Sequence, residues 1–182
     1  MAGGWWRKLF PGSKPADITL VFCPGWSPLY PNVGIGAIDV FLRHHGISTA
    51  ILDFNVQCHN RSPQQYRYLW HDDHSHNWRS ADLVRQAQQK AGFDLAAMAR
   101  TIVAQGTPLV GFCAHVSNQY ITGELTRMIR ALAPDKIIIW GGHNFYHPSD
   151  IAQVDFNLVD AVVVGEGELA LAELAHLYLG RD

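Results

Sequence analysis

Three observations predict an α/β domain with three layers, a five-stranded parallel sheet between helices. Short apolar segments alternate with segments of helical period along most of the 182 residues. The later apolar segments are continuous rather than alternating, which marks strands buried on both faces and hence a parallel sheet. Four of the five strands, all but the second, end in loops that carry glycine, proline or asparagine, as ligand-binding loops at strand ends do. Right-handed crossovers leave few topologies, and 2-1-3-4-5 is the common order for five strands. That is the flavodoxin-like (Rossmann-like) arrangement, whose ligands bind beyond the strand carboxyl ends at the switch point between strands one and three.

The elements follow in order. Asp17 to Cys23 reads as a buried strand ended by Pro24-Gly25. Gly34 to His45 has helical spacing and is closed by Gly46. Ile47 to Leu52 is the second strand. Residues 55–106 break the rhythm and read as an insertion with two helices, Leu83 to Lys90 and Phe93 to Gln105; His59 to Ser80 is polar and aromatic with no stable period. The alternation resumes with strand Leu109 to Cys113, helix Gln119 to Leu132, strand Lys136 to Trp140, a short helix Ser149 to Val154, strand Val159 to Val164 and helix Leu169 to Leu179. Residues 1–16 form an N-terminal arm, and 17–182 form the domain.

Composition narrows the function. Apolar residues make up 48% and charged residues 16%, enough for one core at this length. A net charge of -2 and a pI near 6.5 offer no basic field, so nucleic acid is not an expected partner. No apolar run approaches the roughly 20 residues of a membrane span. The start has no secretory pattern. Trp5, Trp6, Leu9 and Phe10 are expected to fold back on the domain, with a membrane or partner domain as the other reading. Cys23, Cys58 and Cys113 are dispersed and odd in number, which suits reduced thiols in the cytoplasm rather than a disulfide framework.

Candidate site residues gather at the predicted strand ends, and each has a plain structural reading beside the functional one. Ser117 or Asn118 could cap the helix that follows. Glu166 and Glu168 sit where carboxylates suit a helix dipole, and Gly141-Gly142 could only turn the chain. Four such loops converging on one sheet edge favour a ligand site. Gly34-Ile35-Gly36 imitates a dinucleotide fingerprint only weakly, because Asp39 stands where a small residue is wanted; Asp53 could imitate its ribose-binding acid. His71, His74 and His76 with Asp72 and Asp73 read as a solvated loop, with a metal site as the alternative.

Four segments resemble the cobalamin-binding domain that precedes the catalytic domain in many radical SAM enzymes, especially class B methyltransferases. They are Pro24 to Gly36 (PGWSPLYPNVGIG), Val110 to Ser117 (VGFCAHVS), Ile137 to His147 (IIIWGGHNFYH) and Asp160 to Glu168 (DAVVVGEGE). The last is the most specific. The resemblance runs from about Ile18 to Leu177, apart from the insertion. It implies bound cobalamin, with its benzimidazole tail in the cleft and the corrinoid positioned as a methyl carrier. The implied cofactor-binding residues are Pro24, Trp26, Ser27, Tyr30 and Val33 in the first loop. After strand three they are His115, Val116, Ser117 and Asn118. After strand four they are Gly141, Gly142 and His143, and after strand five Gly165, Glu166, Gly167 and Glu168.

Two departures shape the expectation. The CxxxCxxC motif of radical SAM enzymes is missing, so SAM and a 4Fe–4S cluster belong to a catalytic domain that this chain does not contain, together with the small-molecule or peptide substrate. No catalytic residue is assigned. A chain ending at Asp182 reads as a piece of a longer enzyme, with a stand-alone paralogue as the other reading. DxHxxG, which supplies the lower cobalt ligand in cobalamin domains of the methionine synthase and mutase type, is also missing, so no protein metal ligand is assigned. The alternatives are a cofactor-free docking module of the same ancestry and a nucleotide- or flavin-binding protein.

Overall fold

A computed structural model describes residues 14–181. In chain order its elements are β1 (Ile18–Phe22), α1 (Val33–His44), β2 (Thr49–Asp53) and α2 (Phe54–Arg61). Two 3₁₀ segments follow, Gln64–Trp70 and Asp72–Trp78, then α3 (Ala81–Ala91), α4 (Leu95–Ala104), β3 (Leu109–Cys113) and α5 (Gln119–Leu132). The chain continues with β4 (Ile137–Gly141), a 3₁₀ segment Pro148–Gln153, β5 (Ala161–Val162) and α6 (Glu168–Leu179). The readings of Trp5, Trp6, Leu9 and Phe10 lie outside the described residues.

All five strands are parallel, in the order β2-β1-β3-β4-β5, so the flavodoxin-like fold holds. Successive strand residues point to opposite faces, and the core divides accordingly. Ile18, Leu20, Leu109, Ile139 and Val163 pack with Leu42 of α1 and Leu171 and Ala175 of α6. Val21, Val110, Phe112, Ile138 and Trp140 pack with Met98 and Ile102 of α4 and Ile121, Leu125 and Ile129 of α5. These two clusters are the two interlayer cores.

β5 is shorter than the apolar run Val159 to Val164 suggests. Only Ala161 and Val162 pair with β4. Just before them the Asp160 carboxylate accepts the Ile138 amide N–H at 2.7 Å and an Arg130 guanidinium N–H at 2.7 Å. A side chain thus occupies part of the ladder, and the edge strand begins late.

The polar stretch between β2 and β3 forms two 3₁₀ segments; His71, Asp72, Asp73 and His76 are exposed to solvent, as expected, while its large apolar residues turn inward. Its two 3₁₀ segments bury Leu69, Trp70 and Trp78. The Trp78 indole N–H donates to the Leu69 carbonyl at 2.9 Å, and the Trp70 and Trp78 rings lie 4.9 Å apart. Trp70 and Trp78 stand eight residues apart among His and Asp residues, so no hydrophobic period announces their burial. No group of three or more His, Cys, Asp or Glu side chains placed to hold a metal ion is found among the described residues. No helix among them is long and apolar enough to cross a membrane.

Opposite the strand carboxyl ends, Asp17 ties the first strand to the chain's last turn. Its carboxylate accepts from the Ser48 amide and hydroxyl, each at 2.7 Å, and from the Arg181 guanidinium. Burial alone would raise this carboxyl, but the Arg181 and Ser48 hydrogen bonds outweigh it and hold it below the usual carboxylate range. A carboxyl with a depressed folded-state pKa contributes stability above its unfolded pKa and loses it as pH falls through the folded value. Asp17→Asn is therefore expected to lower stability at neutral pH. The difference from the parent should shrink as pH is taken from neutral into acid, where the Asp17 carboxyl takes up its proton. Urea melts at neutral and at acid pH measure it; an equal difference at both would assign the loss to packing.

Candidate functional site

The strand order reverses between β1 and β3, so their carboxyl ends send the chain to opposite faces and leave a crevice. A cleft of about 510 Å³ opens there. It runs from the loops after β1, β3, β4 and β5 down between α1 and α6 to the sheet. Its depth is apolar, with Leu20 and Ile139 from the strands, Val163 just after β5, Ile35 and Ile38 from α1, and Leu171 from α6. Gly111 lies at the floor in mid-β3. A Cβ on it would stand 3.2 Å from Leu20 Cδ2 and 3.3 Å from Ile18 Cδ1. A larger residue there would fill the cleft or displace its wall.

Four loops shape the mouth. Asn32 caps α1, its Oδ1 accepting from Ile35 N at 2.9 Å. Its Nδ2 donates to Cys113 Sγ at 3.4 Å, joining the first loop to the end of β3. After β3, Asn118 is fully buried and turns its side chain back into its own loop. Its Oδ1 accepts from His115 N at 2.7 Å, and its Nδ2 donates to the Cys113 carbonyl at 3.3 Å. Neither Asn118 nor Ser117 caps α5 with its side chain. After β4, the Ala114 amide donates to the Gly141 carbonyl at 2.7 Å, which draws the β3 and β4 loops together. After β5, Gly165 N donates to the Phe145 carbonyl at 2.8 Å, and α6 begins at Glu168 with no side-chain cap. Orphan N–H groups at such a helix start favour an acceptor.

A row of rings crosses the mouth. Trp26 meets His115 edge-on, centroids 4.6 Å apart; His115 stacks on His143 at 5.9 Å; His143 meets Tyr146 at 4.9 Å. Burial, reinforced by His143 and Arg79, holds the His115 imidazole below its usual pKa, so the neutral ring dominates near pH 7. Among the described residues the cleft lining contains Glu166 and Glu168 but no lysine or arginine.

The structure brings ten of the residues singled out from the sequence to this cleft: Trp26, Val33, His115, Gly141, Gly142, His143, Gly165, Glu166, Gly167 and Glu168. The other six stand beside it. Pro24, Ser27, Ser117 and Asn118 are buried beneath the loops, whereas Tyr30 and Val116 are exposed at the rim. The Tyr30 carbonyl accepts the Trp26 indole N–H at 2.8 Å. Asp53, which could have imitated a ribose-binding acid, accepts from Val56 N at 2.9 Å and caps α2.

Sequence reasoning missed the apolar floor, since Leu20, Gly111 and Ile139 read simply as strand. It also missed Asn55, which is 1% exposed and lies under the first loop. The Asn55 Oδ1 accepts three N–H groups: Gly25 N at 3.1 Å, Trp26 N at 3.2 Å and the Trp70 indole at 3.0 Å. Its one sequence signal is Asp53-Phe54-Asn55, a partial echo of DxHxxG that follows the second strand rather than the first. The thiols are quiet. Burial pushes Cys23 and Cys58 up to about 12, and burial raises Cys113, which lines the cleft.

Fold and site together define a flavodoxin-like α/β domain with an apolar switch-point cleft. No protein-family model, no curated protein and no solved structure matches the chain.

Proposed function

We propose that this chain is the cobalamin-binding domain of a cobalamin-dependent radical SAM enzyme, a methyltransferase in class, and that it positions the corrinoid as methyl carrier. The observation that carries the reading is the cleft between α1 and α6, apolar down to Gly111 and about 510 Å³ in volume. A flat heterocyclic tail requires such a slot, and its volume lies within the roughly 300–1,000 Å³ of small-molecule sites. Three of the four segments that resemble the family end in loops that line the cleft, and the other, Pro24 to Gly36, contributes Trp26, Asn32, Val33 and Ile35. Among the described residues the lining has two glutamates and no lysine or arginine, which disfavours nucleotide di- and triphosphates and suits a ligand of low negative charge.

When bound, cobalamin supplies a cobalt that carries a methyl group; the protein supplies position and electrostatics. Leu20, Ile35, Ile38, Ile139 and Leu171 would hold the tail and exclude water from it. The uncapped start of α6 would offer N–H groups to the tail's phosphate. Trp26, His115 and His143 would form the surface beneath the macrocycle. Gly141 and Gly165 keep side chains out of the mouth.

The purified chain is expected to retain hydroxocobalamin through gel filtration, with a visible spectrum of the form in which benzimidazole has left cobalt. In the cob(II)alamin state, electron paramagnetic resonance should lack nitrogen splitting from a lower ligand. Loss of all corrinoid on the column would remove the carrier reading in favour of a docking module. Retention of a flavin or nicotinamide nucleotide instead would favour the third reading.

A further inference from the structure

We propose that His115 is a specificity-determining hydrogen-bond donor of this cleft: its Nε2 bears the ring proton and gives it to an acceptor oxygen of the ligand. The inference rests on the cobalamin reading and deepens it.

The tautomer follows from the neighbours of Nδ1. The Ser117 amide N–H, which can only donate, reaches His115 Nδ1 at 3.4 Å, and Ser117 Oγ lies 3.1 Å from the same atom. A proton on Nδ1 would face the amide hydrogen, so Nδ1 accepts and the proton of the neutral ring sits on Nε2. Among the described residues no group takes that proton. The neutral state is favoured by partial burial and by His143 and Arg79 nearby.

The ring is also held in place. His115 N donates to the fully buried Asn118 Oδ1, and the imidazole lies between Trp26, nearly perpendicular to it, and His143, nearly parallel to it. A donor fixed before the ligand arrives loses little freedom on binding. Among the described residues no lysine or arginine lines the cleft, so its lining offers ligand oxygens neutral donors. Both a corrin carboxamide and the tail phosphodiester present such oxygens. A proton on Nε2 also removes this nitrogen as a cobalt ligand, in keeping with the expected absence of nitrogen splitting.

Two measurements on the full chain test this. Nitrogen-15 NMR of histidine-labelled protein should show His115 Nε2 protonated and Nδ1 unprotonated; an unprotonated Nε2 would overturn the proposal without any variant. In titrations with hydroxocobalamin, His115→Phe, which keeps a ring against Trp26, should bind about tenfold more weakly, and His115→Gln, which restores an N–H, should recover part of the loss. Repeating the titrations with cobinamide, which lacks the phosphodiester tail, locates the acceptor. If Phe weakens cobinamide too, the acceptor is a carboxamide; if not, it is the phosphodiester, and both results support the proposal. Phe binding hydroxocobalamin as the parent does would overturn this inference alone. No binding of hydroxocobalamin by the parent would overturn the carrier reading and this inference with it.

Discussion

Replacing Gly142 by valine is expected to destabilise the domain by roughly 3–6 kcal/mol, combining backbone strain with overpacking. Gly142 adopts φ +105°, which a β-branched residue does not tolerate. A Cβ there would stand 2.8 Å from the Ala114 carbonyl oxygen, 3.0 Å from Ala114 N and 3.1 Å from Cys113 Sγ. Two of those atoms are backbone of the β3 end, so the loop cannot relax without unzipping β3 from β4. For a domain of this size the thermal midpoint should fall by roughly 10 °C or more. Gly165 gives the contrast. It also has positive φ, +82°, but a Cβ on it meets no atom within 4 Å. Gly165→Val should lose only the strain, about 1–3 kcal/mol, while placing a branched side chain in the cleft mouth. Thermal melts and hydroxocobalamin titrations on the same samples separate the two. The sequence alone suggests that both glycines serve binding more than folding; the structure divides them, because only Gly142 is pressed against backbone.

Asn55→Ala is the second large effect expected. It strands three N–H donors, two of them fully buried, and each buried donor without an acceptor costs about 1–3 kcal/mol. Contributions that share one atom do not add in full, so a total of roughly 2–5 kcal/mol is expected. The consequence reaches the site through Trp26, whose backbone Asn55 pins and whose indole stands against His115. Asn55→Asp keeps an acceptor oxygen and should fall between parent and alanine. Urea melts give the stabilities, and Trp26 fluorescence anisotropy in the folded variants reads the freed loop. Unchanged anisotropy in Asn55→Ala would mean that the packing of Trp78 near Gly25 fixes the loop instead.

Much of the framework was legible because local physics and tertiary role agree there. β1, β3 and β4 are continuous apolar runs, and only a sheet covered on both sides satisfies them. Gly46, Gly92 and Gly180 follow helices at positive φ. The convergence of four loops followed from strand order alone. β5 and the segment after β2 were less legible. Asp160 gave no sign that it would replace a ladder hydrogen bond. Trp70 and Trp78, lying among histidines and aspartates, gave no period to reveal that they are buried.

The sequence by itself determined the class of fold, the parallel order of its strands and the edge on which four loops converge. These depend on the spacing of apolar residues and on chain handedness, which act over a few residues at a time. Only the tertiary structure decided which residues line the cleft and which hold up its walls. Asn118 could be a helix cap or a loop clasp until the Cys113 carbonyl lay beside it. Gly111 could be any strand glycine until α1 and α6 left the slot above it open. Asn55 became an anchor only when the first loop folded down on it from 30 residues away. Such roles are set by contacts between segments distant in the chain, and a hydrogen-bond partner or a missing side chain acquires its meaning from what packing brings against it.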